Sequence, residues 1–447
     1  MALADLRGLA TRVEGITRSS FFKSSLALVS GTVLTQGIVF LLSPILSRIF
    51  SAADFGNLAN YNAWVSILAL VSSLRYEHAI IVAPDRESTN GVVALTLALS
   101  LTSVLGYVLG ALFLYALRPT SGYLQHVSDI VLFIPVGVLF IAVSSVLTQV
   151  TVRAGAFPRL ATITVVQVCF TVAIQILLGL AGVPHSLIIG TIAGTILFGA
   201  ILGWLVVREG QIADLRAAMH LSRLRATAKR FANFPRYTLG ADALGVLVQQ
   251  FTPVFILALF NPVYAGLYAF GIRVVRAPLL VVSTAIAVVL RKEGVEHLRR
   301  EGKLEAMYSP LIKSLFLLGL IPFSIILLFG PQLFAIVFGA KWGEAGRLVQ
   351  ILSPGILLEF VAFPLATFFL ITNTQNYTLR VQLAALVLLV TALVIGKMYL
   401  GGFVATGVLV SGVMVAVNGA TIVLAARVSR GGRAPEPVKA TSMVSAL

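Results

Sequence analysis

The sequence predicts an all-α polytopic membrane protein with 12 transmembrane helices in two six-helix lobes. Three observations lead there. Of 447 residues, 58% are hydrophobic and only 11% charged, with a mean hydropathy of +0.98, a composition that soluble globular chains do not reach. Apolar stretches long enough to cross a bilayer, roughly 20 residues each, follow one another along the whole chain. A short motif also recurs at the corresponding outer hairpin of each half.

The chain opens with Leu6, Leu9, Val13 and Ile16 at helical spacing and Arg7, Arg12 and Arg18 on other faces. This pattern predicts a short interfacial helix over 1–22. Met1 to Ser20 is too polar for a signal-peptide core. An N-lobe over 23–206 then holds spans at 23–49, 57–82, 91–116, 129–151, 158–181 and 185–206. A basic cytoplasmic linker, 207–236, follows, in which Ile212, Leu215 and Met219 suggest a second surface helix against lipid headgroups. The C-lobe over 237–427 holds spans at 237–260, 262–290, 309–331, 345–371, 379–400 and 403–426, and a cytoplasmic tail occupies 428–447. The repeat is Phe50 to Ala59, FSAADFGNLA, against Phe260 to Ala269, FNPVYAGLYA, at an offset of 210. Parallel repeats of this kind place a substrate path between halves.

Basic residues orient the spans. On the face shared by the termini there are about 25 Lys and Arg, while the other face carries Arg48, Arg118, Lys341, Arg347 and Lys397. Both termini are therefore expected to be cytoplasmic. The net charge of +16 is absorbed by this asymmetry, so nucleic acid is not an expected partner. Cys169 is the sole cysteine and cannot form a disulfide within the chain. There is no Walker loop, no paired acidic metal motif and no Cys/His cluster, so no cofactor, metal or ATP hydrolysis is expected. A membrane glycosyltransferase or polymerase is the enzyme alternative. Such an enzyme needs a sizeable outer loop, and the longest outer loops here are about 12 to 14 residues.

The span from Phe260 to Leu290 carries two arginines. Counted from Pro262 at about 1.5 Å per residue, Arg273 lies roughly 16 Å in, near the midplane, and Arg276 follows on the same face. An arginine at the bilayer centre costs about 2.5 to 3.5 kcal/mol, so something anionic, or water, must meet this pair. Arg75, beside Glu77 and His78, falls near the cytoplasmic mouth of span two, where it can receive a substrate or merely snorkel. Arg48 lies at the opposite end of span one. Glu359 is about 21 Å along span ten and is either an ion-coupling acid or a static partner of Arg273 or Arg276. Asp242 sits just inside span seven, a coupling acid or a helix-entry charge. Among intramembrane amides, Gln250 stands out, with Gln249 beside it and Pro253 a turn later. It can bind sugar hydroxyls or a neighbouring helix. Pro44, Pro253, Pro278 and Pro364 are expected to kink their spans.

The run SPILSRIFSAADFGNLANYNAWVSILALVSSLRYEHAIIVAPDRE, Ser43 to Glu87, resembles the polysaccharide transporter family of bacterial oligosaccharide flippases, Wzx-like members of the MOP superfamily related to MATE carriers. The stretches YAGLYAFGIRVVRAPLLVVSTAI and FGAKWGEAG in the second half resemble it too. The resemblance implies a MATE/MOP-like carrier in the bacterial inner membrane. Its cargo would be an undecaprenyl-pyrophosphate-linked oligosaccharide for O-antigen, capsule or exopolysaccharide, moved to the periplasmic leaflet by alternating access. Membrane lipid, H+ or Na+, a polysaccharide polymerase and a chain-length regulator are the partners it implies. On that reading Arg273, Arg276, Arg75, Arg48 and Gln250 are substrate-binding candidates, and Glu359 and Asp242 ion-coupling ones. Arginine suits a diphosphate because its planar fork makes bidentate, charge-assisted hydrogen bonds. A drug or cation antiporter of the same fold is the other alternative. Its cavity would call for acidic and aromatic residues, where this sequence offers mostly arginine.

Overall fold

The computed structural model describes residues 20–117, 122–212 and 215–431. Among the described residues the chain is helical and contains no strand. The surface helix expected over 1–22 and the tail expected over 428–447 fall largely outside them; residues 20–22 already belong to the first long helix, and the last one runs to Gly431. Among the described residues eleven helices are long and apolar enough to cross a membrane, or twelve when one bent pair counts as a single span. The chain packs as two compact units, one ending at Phe50 and resuming over Asn57–Val246, the other formed by Ser51–Gly56 and everything from Leu247 onward. Compared with the expected lobes, the linker and residues 237–246 pack with the first unit, and Ser51–Gly56 with the second.

The first unit contains α1 (Ser20–Ile49), most of α2 (Ala52–Ser73), a 3-10 turn (Tyr76–His78), α3 (Ala79–Val82), α4 (Arg86–Leu117), α5 (Gly122–Ser128), α6 (Phe133–Arg153), α7 (Phe157–Leu180), α8 (Ser186–Arg208), α9 (Leu215–Ala218) and α10 (Leu221–Arg230). Its most enclosed span is α8, 50% buried. There Gly190 and Gly194 face Gln175 and Thr171 of α7, and Gln175 Nε2 donates to Leu187 O at 2.9 Å, small-residue packing backed by an interhelical amide. Asp85 caps α4, its Oδ1 accepting from Ser88 N at 2.7 Å. That bond holds the exposed Asp85 carboxyl below the usual carboxylate range.

Span two is not the continuous helix the sequence suggests. It breaks at Leu74 (φ 49) and Arg75 (φ 61), both left-handed, and the chain resumes bent by 65°. The expected surface helix of the linker is also replaced, by the short α9 and α10. Ile212 and Leu215 pack with Tyr76, Ile80 and Phe231 in a protein core instead of facing headgroups, and Tyr76 Oη donates to Ala228 O at 3.1 Å. Burial against this core gains the apolar contact that lipid headgroups would have offered only in part. Met219 remains exposed.

The second unit takes most of α11 (Leu239–Leu259), then α12 (Pro262–Glu301), α13 (Glu305–Phe338), α14 (Gly343–Leu365), α15 (Thr367–Ile371), α16 (Asn376–Ile395) and α17 (Phe403–Gly431). The segment Ala340–Ile371, which contains α14, is 61% buried, against 17% for its neighbour α13. The centre of the unit is therefore α14, packed on α12, α13 and α17. At the α13–α14 crossing a Cβ on Gly330 or Gly346 would strike the other's carbonyl oxygen, so only glycine permits that approach. Pro331 leaves the Leu327 carbonyl without its helical donor, and Gln350 Nε2 of α14 supplies one at 2.5 Å. The helical dihedrals fail nearby, at Phe329 (φ −126, ψ 15). Pro44, Pro253 and Pro278 lie within continuous helices, and Pro364 stands just before α14 gives way to α15.

At 40 residues, α12 outruns the expected span of 262–290. Pro262 occupies its first turn, Asn261 Oδ1 accepts from Tyr264 N at 3.0 Å, and Gly302 (φ 72) ends it after Arg299 and Arg300. At about 1.5 Å per residue it is about 60 Å long, twice a hydrocarbon core of about 30 Å, which leaves its basic end in water. The repeat motif meets itself in this unit. A Cβ on Gly56 would strike Pro262 O, and one on Gly266 would strike Ala52 O. Since the offset of 210 maps Ala52 onto Pro262 and Gly56 onto Gly266, the contact is reciprocal. Beside it Phe55 packs on Phe270 (ring centroids 4.8 Å apart) and Trp342 (5.4 Å).

Candidate functional site

Two charge constellations lie within spans, one in each unit. In the second unit, Arg273 and Arg276 project from α12 three residues apart. Glu359 comes from α14, the helix most enclosed by protein. Arg276 donates to Glu359 Oε2 through Nη2 at 2.7 Å and Nε at 3.2 Å, and each side chain keeps about a third of its surface exposed, 33% and 32%. Of the two expected pairings for Glu359, the structure makes the one with Arg276. Gly271 lets the helices close, since its Cα faces Val349 of α14 with no room for a side chain. Arg273 is half-buried and has no carboxylate within ion-pair distance among the described residues, so its guanidinium is uncommitted. Earlier on the same helix Tyr268 is buried.

In the first unit the break in span two presents Arg75. Its Nη1 donates to Glu77 Oε1 at 3.2 Å, and its Nε lies 2.9 Å from Asp242 Oδ2 of α11. His78 Nε2 is 3.6 Å from that same Asp242 oxygen, and Gln149 Nε2 of α6 is 3.5 Å from His78 Nδ1. Glu77 is 2% exposed, and its Oε2 finds no partner among the described residues. The Arg75–Asp242 pairing was not anticipated. The available signal was that both residues fall near those ends of their spans for which the basic residues predict the cytoplasmic side, at one depth. Among the described residues no group of three or more His, Cys, Asp and Glu could hold a metal ion.

A family model described as Polysaccharide biosynthesis protein matches residues 45–347, more than half of the chain, and spans both constellations except Glu359. The chain belongs to the polysaccharide biosynthesis protein family. No match is found among curated proteins. Solved structures with the same fold include the lipid II flippase MurJ in an inward closed conformation, at 12% identity and TM-score 0.60, covering 91% of this chain and 86% of that one. A MOP superfamily transporter from Pyrococcus furiosus, described as having a binding pocket of reversed polarity, is similar at 17% identity and TM-score 0.58, covering 91% and 96%. An inward-facing multidrug resistance MATE transporter matches at 14% and 0.58, covering 91% and 94%. The MATE/MOP fold is thereby established.

The remaining candidates of this polysaccharide biosynthesis protein are dispersed. Gln250 is half-buried on α11 and makes no hydrogen bond among the described residues. Arg48 is exposed in the last turn of α1, where a cation complements the helix dipole. Several intramembrane amides serve helix joining: Asn60 accepts from Tyr123 Oη at 3.0 Å and Asn418 donates to Gly355 O at 3.3 Å. Tyr264 is half-buried and stacks on Phe403 with ring centroids 4.4 Å apart, and Tyr268 is buried.

Proposed function

We propose that this membrane protein is a flippase for undecaprenyl-pyrophosphate-linked oligosaccharides, carrying them from the cytoplasmic to the periplasmic leaflet of the bacterial inner membrane by ion-gradient-coupled alternating access, without catalysing a reaction. Family membership supports polysaccharide biosynthesis as the pathway, and the fold is one used by a lipid II flippase. The observation that carries the reading is Arg273, an uncommitted guanidinium near mid-span, three residues before Arg276, which Glu359 already neutralises. A permanent cation held there without a carboxylate is stable only if water or an anion meets it. A diphosphate is such an anion. Arg276, with Glu359 oriented against it, fixes the helix register that presents Arg273, and Arg75 and Gln250 serve the head group and sugars along the path.

The antiporter reading loses support from the same geometry. Glu359, Glu77 and Asp242 are each engaged by an arginine, which leaves these acids poorly placed to receive a cationic drug. The test is transport. Arg273→Ala should reduce export of lipid-linked oligosaccharide by at least about tenfold, while membrane level and thermal stability stay unchanged. Cells lacking the protein should accumulate the lipid-linked unit on the cytoplasmic leaflet; normal surface polysaccharide in a clean deletion would sink the assignment.

A further inference from the structure

The cluster around Arg75 is built like an anion site with a carboxylate already in it. Two nitrogens from the broken span, Arg75 Nε and His78 Nε2, converge on one oxygen, Asp242 Oδ2, at 2.9 and 3.6 Å. Asp242 reaches them from α11, distant in sequence and in a different helix. Its grip is imperfect. Arg75 Nε is sealed from solvent yet has no hydrogen-bond partner of acceptable alignment among the described residues. Glu77, two residues away and almost wholly buried, holds the far side of the guanidinium, so Arg75 stays oriented whether or not Asp242 is there. The Asp242 side chain is 36% exposed, which makes it the member of the cluster that can leave. Leu74 and Arg75 hold left-handed backbone without being glycine, a conformation that persists only when surrounding contacts impose it and that concentrates at functional sites.

We propose that Asp242 is a displaceable placeholder in an anion site formed by Arg75 and His78, and that a polyprenyl diphosphate enters this site by substituting a phosphate oxygen for the Asp242 carboxylate. The inference rests on the flippase reading above and deepens it by naming His78 and by giving Asp242 a competitor's role. Phosphate suits the vacated position because it accepts from guanidinium and imidazole donors at once, with greater charge than a carboxylate. The exchange also releases residues 239–246 of α11, the part of that helix that packs with the first unit. Occupancy by cargo is thus converted into a backbone event.

The probe is farnesyl pyrophosphate, titrated calorimetrically into the purified full-length protein in detergent, with inorganic pyrophosphate as a competitor. Removing the internal competitor in Asp242→Asn should tighten binding about tenfold. Arg75→Ala and His78→Ala should each weaken it about tenfold, and Asp242→Asn should give no gain in the Arg75→Ala background. In the wild-type protein, where no variant has to fold, hydrogen exchange at amides 239–246 should accelerate on adding the probe. Competition by inorganic pyrophosphate supports recognition of the head group; its failure to compete assigns binding to the tail and overturns the inference. Binding that is lost in Arg273→Ala but indifferent to Asp242→Asn, with exchange at 239–246 unchanged, overturns this inference and leaves the flippase reading standing. No saturable binding to wild type or Asp242→Asn overturns both.

Discussion

Arg273 and Arg276 are neighbours on one helix face, yet their surroundings give them different work. Arg276 and Glu359 are each about one-third exposed, between the surface pairs that contribute almost nothing and the buried pairs whose disruption is severe. Arg276→Ala should therefore cost about 1 to 3 kcal/mol, read as a lowered thermal midpoint in detergent. Arg276→Met with Glu359→Leu should recover most of that loss, because no charge is then stranded. Arg273→Ala should leave the midpoint where it is. The sequence carries the identity of these groups and their depth, since both follow from counting along an apolar run. It does not carry the partner, because Glu359 is 83 residues from Arg276 and two arginines compete for it on paper. Only the register of α12 against α14 decides.

Helices report how a broken backbone rule is compensated. Pro331 strips a donor from Leu327, and Gln350 replaces it across the α13–α14 contact. Gln350→Leu should cost about 1 to 3 kcal/mol for the unsatisfied carbonyl, and the same change should be close to neutral when Pro331→Ala has restored the helical N–H; a double-mutant cycle in thermal stability measures the difference. The start of α4 gives a pH signature. Asp85 has its folded-state pKa depressed by the Ser88 bond, so its capping contribution is complete above the unfolded carboxylate value and fades as pH falls through the lower folded one. Amide exchange at Ser88 and Thr89 should rise in acid, and Asp85→Asn, which keeps an acceptor that does not titrate, should abolish that acid dependence. Apolar windows made nearly every helix legible. The break at Leu74–Arg75 was hidden because no glycine or proline marks it; the Arg75–Glu77 pair holds it locally and the bond from Tyr76 to Ala228 holds it from a distant part of the chain. The length of α12 was hidden because residues beyond Arg291 are polar, and hydropathy sees only the part in lipid.

For the whole molecule, charge distribution makes the strongest prediction. Reporter fusions or cysteine labelling placed in the 207–236 segment and at both ends of the chain should report the cytoplasmic side, and positions near Lys341 and Lys397 the periplasmic side; a reversed pattern would refute the orientation. The two compact units do not follow the bounds expected from the chain, because Ser51–Gly56 and residues 237–246 join units by packing and not by position in the chain. The meeting of Gly56 with Ala52's counterpart, and of Gly266 with Ala52 itself, has an evolutionary corollary. At most contacts a bulkier residue can be accommodated by trimming its neighbour, but here the obstacle on either side is main-chain carbonyl, which no mutation can shorten. Gly56 and Gly266 are therefore both held to glycine, whatever happens to the side chains around them.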